Sequence, residues 1–294
     1  MKTIWPAELV HAIACRRCVL FFGSEISMNS VGVDGKTRPP TWAQFLLDAV
    51  KHLGPSTKKI VVDVKRLIAD KDYLTAAEVI KNEIKADDFV NLVKDAFHTP
   101  DFQPAPIHDL LFQLDLRISI TPNFDGIYET SVAKRGAGVI TVKKYDDADI
   151  ADSLRRHERV LIKSHGSISN PNHLIFTRTD YAKARNKNRE FYELLDALLR
   201  NHTFIFVGCG FDDPDIRALL ENYRYRHEYG QNHFFVTAKQ DQSKQIKDVY
   251  SDSLKIRLIE YPFDKNHTQL PVWLGRLVEE VNLERIEISK SQSW

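Results

Sequence analysis

The chain has 294 residues, of which 43% are hydrophobic and 28% charged, a composition typical of a soluble globular protein with its own hydrophobic core. Its 41 basic and 40 acidic residues leave a net charge of +1, which excludes a strong whole-chain field that would attract nucleic acid. No apolar run approaches the roughly 20 residues of a membrane helix, and the amino-terminal segment lacks the features of a signal peptide. We therefore expect a cytoplasmic protein that does not bind a membrane.

The first predicted elements are a short helix over 8–16 and a buried strand over 18–22 that ends at Gly23. From 42 to about 114, apolar residues recur at helical spacing almost throughout. This stretch predicts a helical insertion. The sequence leaves open whether the insertion caps a site or contacts another subunit.

After the insertion, short apolar segments alternate with helical ones. The predicted strands are 117–120, 139–142, 160–163, 174–176, 203–207, 233–236 and 256–259, and the predicted helices are 126–134, 189–200, 214–226, 243–250 and 271–284. Such alternation is typical of parallel strands joined by helices. We expect one α/β domain over 1–294 with a Rossmann-like, doubly wound, mostly parallel sheet, followed by a polar tail over 285–294.

The three cysteines are too few for a disulfide framework in a chain of this length. Cys15 and Cys18 have metal-ligand spacing, but one such pair is only half of a tetrahedral zinc site, and Cys209 lies far away in the chain. We interpret the pair as two small residues near a helix end and a strand start, and we expect no bound metal.

Ligands of a doubly wound sheet bind beyond the carboxyl ends of its strands, so the residues that follow each strand are candidate site residues. A glycine there lets the backbone approach a phosphate, and an imidazole such as that of His165 suits proton transfer near neutral pH. Taken singly, the Gly23 segment also fits a plain tight turn, Asp125 and Asp213 fit helix caps, and His165 alone does not establish catalysis. The four segments are Gly23-Ser-Glu-Ile-Ser27, Thr121-Pro-Asn-Phe-Asp125, Ser164-His-Gly-Ser167 and Gly208-Cys-Gly-Phe-Asp-Asp-Pro-Asp-Ile216.

Taken together and in this order, the four segments resemble those of the sirtuin-like NAD-binding family, in particular its bacterial anti-phage-defence branch. The first stands where sirtuins carry Gly-Ala-Gly-Ile-Ser, and the second where they carry Thr-Gln-Asn-Ile-Asp or Thr-Thr-Asn-Tyr-Asp. The third, read as Lys163-Ser-His-Gly166, is similar to their Leu-His-Gly segment, and the fourth is similar to Gly-Tyr-Ser-Leu-Ser-Asp-Pro-Asp-Ile. The resemblance covers roughly residues 9–280.

The resemblance implies an NAD site with two catalytic residues. His165 would be the general base, and Asn123 would orient the attacking water and the ribose. The implied NAD-binding residues are Gly23, Ser24, Ser27, Thr121, Asp125, Gly208, Cys209 and Gly210.

Two departures from the family pattern bear on the reaction. Ser24 and Glu25 replace the small pair Ala-Gly, and a carboxylate beside a pyrophosphate is repulsive unless it points away. In addition, no cysteine lies between Asp125 and Gly208, so the zinc module of two Cys-x-x-Cys pairs found in protein-deacylating sirtuins is missing. Without that part of the acyl-lysine cleft, water is the expected acceptor of the ribosyl group.

The expected function is therefore an NAD+ hydrolase that depletes NAD in anti-phage defence. Its stand-alone size resembles family members encoded with a HerA-type ATPase translocase, which implies that ATPase as partner and a homo-oligomeric assembly. Two alternatives stay open: a non-catalytic nucleotide-binding or assembly module in which Glu25 blocks productive binding, and an NAD-dependent protein deacylase. The basic segments 181–189 and 223–227 could both contact nucleic acid. The second is more simply a solvated helix face with its tyrosines packed inward, and with a net charge near zero direct nucleic-acid binding is not expected.

Overall fold

The computed structural model describes residues 4–54, 57–135, 140–210, 214–239, 243–264 and 267–291. Within these ranges the strands form one seven-stranded sheet in which every neighbouring pair is parallel. The strands are β1 (Cys18–Phe22), β2 (Ile118–Thr121), β3 (Ile140–Lys144), β4 (Arg159–Lys163), β5 (Thr203–Val207), β6 (His233–Ala238) and β7 (Ile256–Tyr261). The doubly wound α/β fold expected from the sequence is confirmed.

Helices flank the sheet and follow most of the strands. They are α1 (Ala7–Ala14), α2 (Ser24–Ser27), α3 (Trp42–Val50), α4 (Lys58–Ala69), α5 (Tyr73–Glu83), α6 (Ala86–Phe97), α7 (Pro106–Gln113), α8 (Ile127–Lys134), α9 (Ile150–Arg155), α10 (Arg178–Lys187), α11 (Arg189–Asn201), α12 (Pro214–Arg226), α13 (Lys244–Leu254) and α14 (Gln269–Ser291). Among the described residues, none of these helices has both the length and the apolar character needed to cross a bilayer.

The order of the strands places a crevice at the centre of the sheet. The order is β3-β4-β2-β1-β5-β6-β7, so the chain first builds the sheet on one side of β1 and then crosses to β5 on its other side. β1 and β5 pair over their whole length, from Cys18 opposite Thr203 to Phe22 opposite Val207. Their carboxyl ends are thus adjacent at the topological switch point, where open α/β sheets bind ligands.

The alternating side chains of the strands enter two separate apolar layers, one on each face of the sheet. In β1, Leu20 and Phe22 pack with residues of α1, α7 and α14, whereas Val19 and Phe21 pack with residues of α11 and α12. This two-residue periodicity is what a sheet covered on both faces requires.

A third apolar cluster lies outside the sheet layers and is built by α3–α6, which we call the cap. Phe45, Ile80 and Phe89 of the cap pack against Phe124, which follows β2, and Phe176, which follows β4. The cap therefore covers the carboxyl ends of the strands. Helix α7, at the end of the predicted insertion, instead joins the sheet layer that contains α14.

The predicted strand at 174–176 is wrong. These residues form no strand, because Leu174 and Phe176 pack into the cap cluster while the N–H of Ile175 donates to the carbonyl of His165 at 3.1 Å. A short buried apolar run has the same sequence pattern whether it pairs in a sheet or passes beneath another layer.

The last helix is longer than the sequence indicates. It continues from the predicted end at 284 to Ser291, because Ile288 lies one heptad after Val281 and is also buried. Residues 285–291 of the predicted polar tail are thus helical, whereas Trp294 lies outside the described residues.

Candidate functional site

A cavity of about 590 Å³ lies at the switch point, between the strand ends and the cap. We call the loops that follow β1, β2, β4 and β5 the floor of the cavity. The residues that line the cavity from the floor are Gly23, Ser24, Ser27, Pro122, Asn123, Phe124, Asp125, His165, Cys209 and Gly210. The cap contributes Trp42, Phe45, Tyr73, Leu74 and Phe97, and α10 contributes Arg178, Tyr181 and Arg185. The cavity thus combines polar groups on one wall with an aromatic surface on the other, as ligand sites commonly do.

Two glycines allow the loops after β1 and β5 to meet at the floor. The N–H of Gly23 donates to Val207 and that of Glu25 to Gly208, both at 3.0 Å. A Cβ atom on Gly23 would lie 2.6 Å from the carbonyl oxygen of Gly208, and Gly208 itself has a φ of +64°. Larger residues at either position would separate the loops or strain the backbone.

The carboxylate of Glu25 lies away from the cavity, which it does not line. Burial raises its pKa, and the nearby His267 partly offsets that rise. His267 is itself hydrogen-bonded through Nδ1 to the hydroxyl of Tyr261, at 2.7 Å. Glu25 is therefore directed towards His267 and the end of β7.

A chain of hydrogen bonds fixes the polar groups of the floor. The Asn123 Nδ2 donates to Ser27 Oγ at 3.0 Å, and Ser27 Oγ donates to Asp125 Oδ2 at 2.8 Å. The other carboxylate oxygen of Asp125 accepts from the N–H of Ile127 at 3.0 Å, which starts α8. Asn123 uses its amide nitrogen in this chain, so its amide oxygen is the group that can accept a hydrogen bond from a ligand.

Thr121 supports this chain from behind the cavity wall. Its hydroxyl donates to the carbonyl of Phe22 at 2.8 Å and accepts from the N–H of Asn123 at 3.1 Å. It thus ties the end of β2 to the end of β1, and it sets the start of the loop that carries Asn123.

His165 follows β4, which lies on the side of β2 away from β1. It lines the cavity and is only 4% exposed. The hydroxyl of Tyr181 lies 3.5 Å from its Nδ1, and the two rings pack edge to face with centroids 5.0 Å apart. The following Gly166 has a φ of +85°, and a Cβ there would lie 2.7 Å from the carbonyl oxygen of His173. This tight turn holds the imidazole at the strand end.

The structure brings together most of the residues that the sequence singled out. Eight line the cavity, namely Gly23, Ser24, Ser27, Asn123, Asp125, His165, Cys209 and Gly210. Thr121 and Gly208 do not line it, but they hold neighbouring loops in place. Asp213 and the rest of 211–213 lie outside the described residues, and the roles of all these residues in binding or catalysis stay predictions.

Sequence reasoning left open whether the insertion caps a site, and it identified none of the residues that line the cavity from the cap and from α10. Trp42 and Tyr73 line the cavity, yet in the sequence they look like ordinary core positions of amphipathic helices. Tyr181 of α10 also lines the cavity, although the sequence places it in a basic segment. Nothing local in the sequence indicates which apolar helix residues border a cavity and which border another helix.

In the part of the chain that the structure describes, no group of three or more His, Cys, Asp or Glu side chains is placed to hold a metal ion. Cys15 is half-buried and Cys18 buried, and both are free thiols. Burial raises the pKa of the Cys18 thiol far above its ordinary value, so this group stays protonated.

Comparison with known families bears on the segment that contains Asn123 and His165. Residues 117–259 match the family model of the SIR2-like domain. This SIR2-like segment contains β2 to β6 and the first part of β7, and it excludes the Gly23 loop and the cap.

Two curated proteins extend the similarity beyond the SIR2-like segment. The chain is 25% identical over 227 residues to the NAD(+) hydrolase ThsA of Bacillus cereus (strain MSX-D12), an alignment that covers 76% of this chain and 44% of that protein. It is 24% identical over 242 residues to the Defense-associated sirtuin 2 of Bacillus subtilis, covering 81% of this chain and 23% of that protein. The chain thus spans less than half the length of either relative.

A solved structure described as "Structural Basis for the Mechanism and Regulation of Sir2 Enzymes" aligns with 94% of this chain and 97% of its own. The TM-score is 0.46 and the sequence identity is 14%.

Proposed function

We propose that the protein hydrolyses the bond between nicotinamide and ribose in NAD+, with nicotinamide and ADP-ribose as products. The observation that carries this proposal is that Asn123 and His165 line one cavity at the switch point although they follow different strands. Support comes from the similarity over most of the chain to proteins named NAD(+) hydrolases.

The chemistry of this bond matches what the floor offers. Nicotinamide leaves as a neutral molecule from a pyridinium, and the remaining ribose has oxocarbenium character. Catalysis then consists of holding that cation and directing one water molecule to it. Asn123 orients the water and the ribose through its amide oxygen, a contribution of position rather than of acidity. His165 takes a proton from the water or from a ribose hydroxyl.

The cap completes the site by limiting access of solvent. Its aromatic residues form the wall opposite Asn123, and Phe176 joins this wall to the loop after β4. Excluding bulk water strengthens the electrostatic contacts of the floor with the bound dinucleotide.

The position of Glu25 bears on the non-catalytic alternative. That alternative depends on the Glu25 carboxylate opposing a pyrophosphate, yet Glu25 does not line the cavity and lies near His267 instead. This orientation favours productive binding of an anionic dinucleotide beside Gly23 and Ser24.

In the cell, the proposed role is that of an NAD-depleting effector in bacterial anti-phage defence. The relative named Defense-associated sirtuin 2 supports this role. Uncontrolled hydrolysis of NAD+ would harm the host, so activity requires a trigger. We propose that the protein is cytoplasmic, assembles as a homo-oligomer and is activated by a HerA-type ATPase translocase.

A nicotinamide-release assay tests the proposal. The purified protein is incubated with NAD+ alone, with an acetylated peptide, and with its proposed ATPase partner. Release that needs no peptide, with or without the partner, supports the hydrolase. Release that strictly requires the peptide identifies a deacylase, and binding of NAD+ without release in any mixture identifies a non-catalytic module.

A further inference from the structure

Lys163, the last residue of β4, is completely buried, with 0% exposure. Its ammonium Nζ donates to the main-chain carbonyl of Asp125 and lies 2.7 Å from Glu129 Oε1 on α8. Lysine is seldom buried without a partner, so both contacts serve to hold this charge inside the protein.

Stability alone is a weak explanation for this arrangement. The ammonium lies beside the amino-terminal end of α8, where the helix dipole is also positive and opposes it. A buried ion pair is commonly replaced by apolar residues of similar size without loss of stability. The distinctive property of Lys163 is that it connects two loops at the cavity.

Lys163 joins the two loops that carry the proposed catalytic residues. His165 lies two residues after it on the loop that follows β4, and Asn123 lies two residues before Asp125 on the loop that follows β2. A main-chain hydrogen bond of 2.9 Å from Ser164 to Thr121 joins the same two loops nearer the sheet. Beyond that bond, the ammonium of Lys163 crosses from one loop to the other.

We propose that Lys163 is a positioning residue that sets the place of the Asn123 amide relative to the His165 imidazole. It acts through the carbonyl of Asp125 and touches neither substrate nor water. This proposal rests on the proposed function, because the two groups matter to the rate only if they act on one substrate.

The expected effect follows from the geometry. Without the ammonium, the carbonyl of Asp125 loses this donor. The loop from 122 to 127 then keeps the main-chain bond from Ile168 to Phe124 at 2.8 Å but loses the attachment at Asp125, nearest to α8. A displacement of about 1 Å in a catalytic group commonly costs up to about 100-fold in rate. Because Lys163 does not contact the substrate, its loss lowers mainly kcat and has little effect on KM.

The test compares Lys163→Met with a matched control in the same sheet. Lys143 on β3 also forms a lysine–carboxylate pair, with Asp149 at 2.6 Å, and its side chain is only 16% exposed. It lies opposite Ile162 on β3, the edge strand that β4 separates from β2. Nicotinamide release and thermal unfolding are measured for wild type, Lys163→Met and Lys143→Met.

We expect Lys163→Met to lower kcat at least tenfold, with KM changed less than threefold. The unfolding temperature also falls because Glu129 loses its partner, so the rates are compared at a temperature where every variant is folded. Lys143→Met keeps the wild-type kcat. A kcat of Lys163→Met within twofold of wild type, or an equal fall in both variants, would overturn the proposal.

Hydrogen exchange separates this proposal from the proposed function. In the wild type the amides of Asn123 and Ile127 have hydrogen-bond acceptors within the loop. Lys163→Met is expected to speed exchange over 122–127 at least tenfold while leaving β1 and β5 unchanged. If wild type releases no nicotinamide even with the proposed ATPase partner, the hydrolase proposal fails, and unchanged exchange in the variant would by itself refute the positioning role.

Discussion

The two walls of the cavity are held together by different forces. The floor is fixed by directional hydrogen bonds between short polar groups, such as those linking Asn123, Ser27 and Asp125. The cap is held by aromatic packing around Phe176, whose ring centroid lies 4.6 Å from that of Trp42 and 5.3 Å from that of Phe45. Satisfied polar networks specify a single geometry, whereas apolar packing is non-directional and accommodates change. Substitutions in the floor should therefore alter the rate, and substitutions at the edges of the cap should alter affinity.

Replacing His165 by alanine should give the largest effect on the floor side of the comparison. We expect nicotinamide release to fall by about 10² to 10⁴, because a general base is lost. His173→Ala serves as the control, since that imidazole is 54% exposed and paired with Asp146. A wild-type rate in His165→Ala, with the protein folded, would remove the imidazole from the mechanism.

Gly23→Ala should affect stability and rate together. The new Cβ would lie 2.7 Å from Cys209 Cβ as well as close to the Gly208 carbonyl, so the loops must separate. Overpacking of this kind costs about 1–3 kcal/mol in the free energy of unfolding. Urea unfolding and nicotinamide release measure the two effects.

Gly275→Ala is the matched control for that substitution. Gly275 lies within α14 and has open space around its Cβ position, so alanine there should leave activity unchanged and stabilise the helix slightly. If the two variants had the same stability and the same rate, the loops after β1 and β5 would have room for a Cβ atom at position 23.

Acid should weaken the sheet through His233, which is buried at the start of β6. Burial lowers the pKa of His233 to about 3, and its Nδ1 accepts from the N–H of Phe204 at 3.1 Å. In the unfolded chain an imidazole titrates near pH 6.5, so the unfolded state binds the proton first as the pH falls. The stabilisation is complete above about pH 6.5 and is progressively lost towards pH 3.

At pH 5.5 this loss amounts to about 1.4 kcal/mol, one unit below the ordinary pKa. His233→Asn keeps an acceptor for the Phe204 amide but does not titrate, so its stability should change less between pH 7 and 5.5. His52→Asn is the control, because His52 is exposed on the cap. An unchanged pH dependence in His233→Asn would exclude this imidazole as the cause.

Lys81→Met should have the smallest effect, and it tests whether the cap acts on the affinity for NAD+. Lys81 ties α5 of the cap to Asp180 of α10 at 2.9 Å, and its side chain is 38% exposed. Partly exposed pairs contribute about 1 kcal/mol or less, and salt weakens them. We expect a twofold to fivefold rise in KM for NAD+ and a weaker salt dependence.

Lys51→Met is the control for this variant, because Lys51 pairs with Asp48 at 2.6 Å on the cap surface and is 72% exposed. A fall in kcat rather than a rise in KM in Lys81→Met would show that the cap positions catalytic groups. The distinction between the two walls would then fail.

Sequence periodicity predicted the regular elements better than their arrangement. The bounds of β1 and β5 agree with the sequence, since both are short, apolar except for Thr203, and followed by glycine. The segment at 174–176 has the same character but lies under the cap, and only its tertiary surroundings tell it apart. The helical character of the insertion was also predictable, whereas its position above the strand ends depends on contacts between residues distant in the chain.

The candidate site shows a similar division. Residues after the strand ends were predictable because a parallel sheet brings those ends to one edge. The burial of Lys163 was not, since a lysine at a strand end ordinarily reaches solvent, and its partner Glu129 is 34 positions away. Tyr181 likewise approaches His165 only because α10 passes beside the cavity.

The central place of β1 has a consequence for biosynthesis. Its first residue, Cys18, pairs with Thr203, which leaves the ribosome 185 residues later. At typical translation rates of about 5–20 residues per second, one edge of this apolar strand waits about ten to forty seconds for its neighbour. During that interval the nascent chain exposes an unpaired, aggregation-prone strand edge, and binding by a chaperone would protect it until β5 emerges.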